Sequence, residues 1–164
     1  MTATADAYAV AASVPDPELP MLTLQDLGIL RAVDTEGDTV IATITPTYSG
    51  CPAMHEISHD LQHRLQQAGF AKVQVRTQLA PAWTSDWITN DGRAKLQAAG
   101  IVAPSAAPRR AGPVPLTLLA RPTVACPRCG STRTEQTAAF SATACKSLHR
   151  CLDCREPFEQ VKAI

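Results

Sequence analysis

At 164 residues and 17.4 kDa, the chain has room for one ordinary domain, or for one small domain and a smaller module. A 45 % hydrophobic and 18 % charged composition excludes wholesale disorder, and no apolar run approaches the roughly 20 residues that a membrane span needs. The formal charge of zero is uneven: residues 1–101 carry eleven acidic against six basic side chains, a balance of −5, and residues 102–164 four against nine, a balance of +5.

The predicted elements run in chain order as follows. Asp6 to Ser13 reads as a short helix ending before Pro15-Asp-Pro17. Ile29 to Asp34 and Thr39 to Thr45 read as strands, and Thr35-Glu-Gly-Asp38 supplies the glycine of a tight hairpin. Pro52 to Ala68 has Met54, Ile57, Leu61, Leu65 and Ala68 at helical spacing, with Gly69 as the stop. Val73, Val75, Thr77 and Leu79 alternate with polar residues, the period of a half-buried strand. Strand, helix, strand in that order predicts a parallel pair with a right-handed crossover. A last helix spans Asn90 or Asp91 to Ala99, ended by Gly100. The class expected is α/β (α+β): a small mixed sheet with helices on one face, plus a carboxy-terminal module.

The boundary between the two is the proline-rich stretch 102–115, which has the composition of a stiff solvated spacer. The expected division is 5–101, a spacer over 102–115, and 116–164. Cysteine use changes at the same place, with Cys51 before it and Cys126, Cys129, Cys145, Cys151 and Cys154 after it. Cys126-Pro-Arg-Cys129 and Cys151-Leu-Asp-Cys154 are two Cys-x2-Cys pairs separated by 21 residues, a spacing that lets four thiolates converge on one metal ion. Structural Zn2+ is the expected occupant, an iron–sulfur cluster the alternative, with Cys145 as an extra ligand in that case. A module of about fifty residues needs such a clamp to fold.

Cys51 lies in Thr45-Pro-Thr-Tyr-Ser-Gly-Cys51-Pro52, between a strand and a helix. With Pro52 at the first helical position, Cys51 is expected to cap the helix, and the free N–H groups there are expected to lower its thiol pKa. Such a thiol can ligate a soft metal; a small residue buried in a turn is the plainer reading. Asp16 and Glu18, between Pro15, Pro17 and Pro20, form a stiffened carboxylate pair suited to a cation, to a partner's arginine, or only to turn chemistry. His55, His59 and His63, four apart, fall opposite the apolar stripe and read as a solvated face, with adventitious zinc as the alternative. Trp83 and Trp87 read as core, or as a partner-facing patch.

Asp16-Pro-Glu18, Thr47-Tyr-Ser-Gly-Cys51-Pro52 and Pro81-Ala-Trp83-Thr together resemble the small α/β domain shared by iron–sulfur targeting and assembly factors. Three further motifs, Cys126-Pro-Arg-Cys129-Gly-Ser131, Thr143-Ala-Cys145-Lys146 and Cys151-x-x-Cys154-x-Glu-Pro-Phe158, are similar to the phenylacetyl-CoA epoxidase branch of that family, which adds a zinc-ribbon-like tail. The resemblance implies an accessory role in phenylacetate catabolism beside a di-iron monooxygenase, with iron or an iron–sulfur cluster held transiently at Cys51. The expected partners are the oxygenase or iron–sulfur reductase components, with a homodimer left open. A stable, non-catalytic component of the epoxidase complex is the alternative.

No paired Glu-x-x-His helices and no nicotinamide or flavin fingerprint occur, so the chain is expected to be neither oxygenase nor reductase. Four thiolates on one divalent ion would reduce the tail's charge to +3, which makes nucleic acid the least expected partner. The amino terminus, Met1-Thr-Ala-Thr-Ala-Asp6, lacks a basic start followed by an apolar stretch, so the expected location is the cytoplasm.

Overall fold

The computed structural model describes residues 3–48, 50–107 and 123–164. It divides into two compact units, Met1–Lys95 and Leu96–Ile164. Of the proline-rich spacer expected over 102–115, residues 108–115 lie outside the described residues. Among the described residues no helix is long and apolar enough to cross a membrane.

The first unit contains α1 (Ala3–Ala12), β1 (Leu30–Glu36), β2 (Thr39–Ile44), α2 (Met54–Gln67) and β3 (Lys72–Thr77), and α3 (Asn90–Ala98) begins within it. β1 and β2 form the expected hairpin, with Glu36 opposite Thr39 across the two-residue turn Gly37-Asp38. Gly37 takes φ 62, the left-handed backbone that such a turn requires. β3 pairs parallel with β2, from Thr39 opposite Lys72 to Ile44 opposite Thr77, which is the parallel pair joined through a helix that the element order predicts. The sheet order is β1-β2-β3. β2 lies in the middle and buries Val40, Ile41, Ala42 and Ile44, and α2 turns Ile57, Leu61 and Leu65 inward. Those three are one helical turn apart, which makes the apolar spacing readable in the sequence. α1 packs on β1 and α2, and α2 packs on β3.

Two features hold the region before β1. Trp83 is 6 % exposed and its indole Nε1 donates to the Leu27 carbonyl at 2.9 Å, so this tryptophan is core, the first of its two expected roles. A bulge between Leu30 and Ala32 lets Arg31 leave the ladder; its guanidinium stacks 3.6 Å above the Trp87 ring.

Asp26 anchors the same region. Its Oδ2 accepts from Thr23 N at 2.9 Å and from Lys95 Nζ at 2.6 Å. Burial alone would raise its pKa; the Lys95 ammonium and the Thr23 donors outweigh that and hold it below 3.8. An acid whose folded pKa lies below its unfolded value adds stability at higher pH, and loses it as pH falls through the folded value. Asp26→Asn is therefore expected to flatten the stability-against-pH curve of the first unit below about pH 4, read by urea unfolding at a series of pH values.

The second unit is a three-stranded antiparallel sheet, β4 (Thr134–Ala138), β5 (Lys146–Cys151) and β6 (Pro157–Val161), in that order. Val102 adds a parallel bridge to β6, its N–H donating to the Glu159 carbonyl at 2.9 Å. Among the described residues, the sheet's apolar packing is small: a buried cluster of Cys126, Cys151 and Phe158, with Val102 and Val124 packed against it, and Val161 buried on β6. The mixed sheet, the helices of the first unit and the cysteine-bearing second unit make up the α/β class expected from the sequence.

Candidate functional site

In the second unit, the two Cys-x2-Cys turns bring Cys126, Cys129, Cys151 and Cys154 together, with all four sulfurs within 4.8 Å of one another. Cys126 Sγ lies 3.7 Å from Cys154 Sγ, and Cys129 Sγ lies 3.6 Å from Cys151 Sγ. These gaps far exceed a disulfide bond of about 2.05 Å. They match the edge, about 3.8 Å, of a tetrahedron of sulfurs each about 2.3 Å from a central ion.

The backbone prepares the same chemistry. N–H groups of Cys154 and Asp153 point at the Cys151 sulfur and hold its thiol down, at about 7. A Glu156 N–H lowers Cys154 as well, but crowding by the Cys129, Cys151 and Cys126 sulfurs outweighs it and pushes Cys154 up to about 12. Four thiols this close cannot all ionise unless a cation sits among them. The donor set therefore fits a single metal ion.

Gly130 and Arg155 follow the two knuckles at equivalent places, with φ 74 and φ 65. The second turn thus reaches the geometry of the first at the cost of a non-glycine residue in left-handed backbone, about 1 kcal/mol or more. Side chains also tie the knuckles together: Arg128 pairs with Glu156, and Arg133 Nη1 meets Asp153 Oδ1 at 2.7 Å. Cys145 is not in the four-sulfur set; its sulfur lies 3.1 Å from Thr143 Oγ1.

In the first unit, the loop after β2 carries Cys51, half-buried. The structure corrects two expectations here. Cys51 does not cap α2: Pro52 and Ala53 form a turn, Met54 N donates to the Cys51 carbonyl at 3.3 Å, and Ala53 is the N-cap, with no side-chain cap bond. Nor is the thiol pKa lowered. Burial raises it, as do the Asp16 and Glu18 carboxylates, and hydrogen bonds from Ala53 N–H and the Tyr48 side chain offset this only in part. With the helix starting later, the Ala53 N–H reaches the sulfur but does not outweigh burial and the two carboxylates.

The same interactions show what the structure assembles. Asp16 and Glu18, more than thirty residues before Cys51 in sequence, act electrostatically on its thiol. Asp16 is buried, and its Oδ1 accepts from Glu18 N at 2.9 Å and Leu19 N at 2.8 Å, which is the turn chemistry that the prolines suggest. Its pKa is raised, foremost by burial, with Glu56 adding to the effect. Tyr48 and Glu56 are members of this neighbourhood that the sequence does not single out. Tyr48 stands in the Cys51 loop motif, but nothing in its spacing says that it turns toward the sulfur.

The chain thus carries a small α/β domain, with a thiol in the field of two carboxylates, and a ribbon with four convergent cysteines. Residues 5–76 match the family described as "Iron-sulfur cluster assembly protein", and residues 110–162 match the "PaaD zinc beta ribbon domain". The chain is 43 % identical over 157 residues to a protein of Escherichia coli (strain K12), covering 96 % of this chain and 91 % of the relative. That relative is named as the D component of a "Putative 1,2-phenylacetyl-CoA epoxidase". The chain belongs to the family of these epoxidase D components. A solved DUF59 domain from Bacillus anthracis superposes with TM-score 0.53 at 24 % identity, covering 57 % of this chain and 90 % of that one. TM0487 from Thermotoga maritima gives TM-score 0.49 at 24 % identity, covering 58 % and 94 %. The former shares the fold of the first unit.

Proposed function

We propose that this protein is an accessory factor of a phenylacetyl-CoA epoxidase system in phenylacetate catabolism, and that Cys51 carries iron or an iron–sulfur cluster on its way to the enzyme. The observation that carries this reading is the half-exposed Cys51 sulfur with the Asp16 and Glu18 carboxylates acting on it. A cation arriving at this place replaces the thiol proton and is attracted by both carboxylates, while the sulfur supplies the soft ligand. The cargo is the substrate here and leaves again, which suits a loop ligand that only partly encloses it. The family relationship supports the oxygenase or iron–sulfur reductase components as partners and the cytoplasm as the place of work. The division into an assembly-like domain over 5–101, a spacer and a ribbon over 116–164 belongs to the same reading.

Cys126, Cys129, Cys151 and Cys154 hold Zn2+ in this proposal, for structure. Zinc has no redox chemistry and accepts four thiolates tetrahedrally, the arrangement that the observed sulfur spacing suits. Cys145, outside that set, is left out of the ligand sphere.

The test is Cys51→Ser in the full chain, with folding of the first unit verified by its amide NMR dispersion. Co-expressed epoxidase is expected to lose most of its iron and, with it, turnover. Unchanged iron content and turnover would overturn the carrier role. The name of the Escherichia coli relative favours a second reading, a stable non-catalytic component of the complex. It predicts a different outcome: full iron in the partner, with turnover still dependent on this chain at fixed stoichiometry.

A further inference from the structure

The outer face of α2 carries three of the four histidines of the chain, His55, His59 and His63, all exposed. The rings of His59 and His63 lie parallel, with centroids 6.1 Å apart and planes 9° from one another. Both rings present the same nitrogen. Asp60 Oδ1 is 3.6 Å from His59 Nδ1, a placement that favours the proton on Nδ1 and leaves Nε2 with its lone pair. Gln67 Nε2 is 3.3 Å from His63 Nε2; an amide nitrogen only donates, so His63 Nε2 is also an acceptor.

We propose that His59 and His63 form a bidentate site for a divalent first-row transition ion of the Zn2+, Ni2+ or Cu2+ class, distinct from the four-cysteine set and from Cys51. Imidazole nitrogens select such ions over Mg2+ and Ca2+, which prefer oxygen ligands. One turn of helix holds the two residues with Cβ atoms about 5–6 Å apart, so the second ring binds with little further ordering. With metal–nitrogen bonds of about 2.0–2.1 Å the two Nε2 atoms stand about 3 Å apart, so the rings must rotate out of their stacked pose about χ1 and χ2, which their exposure allows, and the exposed Gln67 amide must swing aside. Asp60 then supplies the carboxylate–histidine–metal relay that fixes the tautomer of a ligating ring. Among the described residues, no ring contact joins His55 to His59, so His55 is not part of the pair. Ile57, Leu61 and Leu65 bury the opposite side of the helix, and changes on the histidine face leave that packing untouched.

The probe is Ni2+ alone, added to the full chain after its four-cysteine set has been saturated with Zn2+, with imidazole nitrogen–proton NMR as the readout. The Nε2 signals of His59 and His63 are expected to broaden together, while His149 in the second unit serves as the unresponsive reference and Mg2+ has no effect. His59→Ala and His63→Ala are each expected to weaken Ni2+ binding by about tenfold or more, and His55→Ala by less than about threefold. Loss of His59 that leaves the Ni2+ response of His63 unchanged would mean single-ligand binding and overturn the site. An equal loss for His55→Ala would also overturn it, by showing an unspecific histidine face.

Discussion

Cys126→Ser is expected to strip the second unit of its metal and to unfold it. Cys126 and Cys151 form a buried cluster with Phe158, so two of the candidate ligands are also packing. Among the described residues around the sheet, Val161 is buried and Val102 and Val124 are half-buried besides, too little apolar area for a unit of this size to fold on its own. Structural zinc sites of this kind contribute on the order of 10 kcal/mol or more to folding, and losing one of four thiolates forfeits most of it. Metal analysis should fall from one ion per chain to well below it, and the amide signals of β4, β5 and β6 should collapse to the narrow dispersion of an unfolded chain. Signals of the first unit should keep their positions. A variant that keeps one ion per chain and a dispersed second unit would show that the four-sulfur clamp is not what folds it. A strong chelator added to the wild type should reproduce the collapse.

Gly28→Ala is expected to be the most destabilising single methyl in the first unit. Gly28 has φ +67, which costs a side-chain-bearing residue about 1 kcal/mol or more. A Cβ there would stand 2.7 Å from Trp87 Cβ and 2.8 Å from the Trp87 carbonyl oxygen, so backbone rather than a flexible side-chain tip must move. Overpacking of that kind costs about 1–3 kcal/mol, giving a total of about 3 kcal/mol. Gly37 is the internal control: its φ is +62 and nothing lies within 4 Å of its built Cβ. Gly37→Ala should lose only the backbone contribution. If urea unfolding gives the two variants the same loss, the close approach of Trp87 is not a constraint.

What is legible in the sequence follows from the range of the interactions involved. The β3 alternation, the Gly37 turn and the Ile57, Leu61, Leu65 stripe are periodic signals within a few residues, and each names its element. The stops at Gly69 and Gly100 are local too; both take positive φ, and Phe70 N and Ile101 N close the helix ends onto Leu65 and Leu96. The four-cysteine convergence is readable because each pair is preformed on its own tight turn. The Arg31 bulge is not, since it depends on where Trp87 comes to rest. The direction of the Cys51 pKa escapes the sequence for the same reason: it is set foremost by how far the fold buries the sulfur, and then by Glu18 and Asp16, brought there by tertiary packing. Motifs single out all three residues but do not give the sign of their effect on one another.

Burial and the Asp16 and Glu18 carboxylates, which raise the Cys51 pKa, also bear on how the thiol meets oxidants. Thiolates attack peroxides and disulfides far faster than thiols do. By delaying ionisation, burial and the two acids keep the Cys51 thiol less reactive toward oxidants. The same negative field that shelters the sulfur attracts cations, which in the proposed carrier role would favour loading of the resting protein.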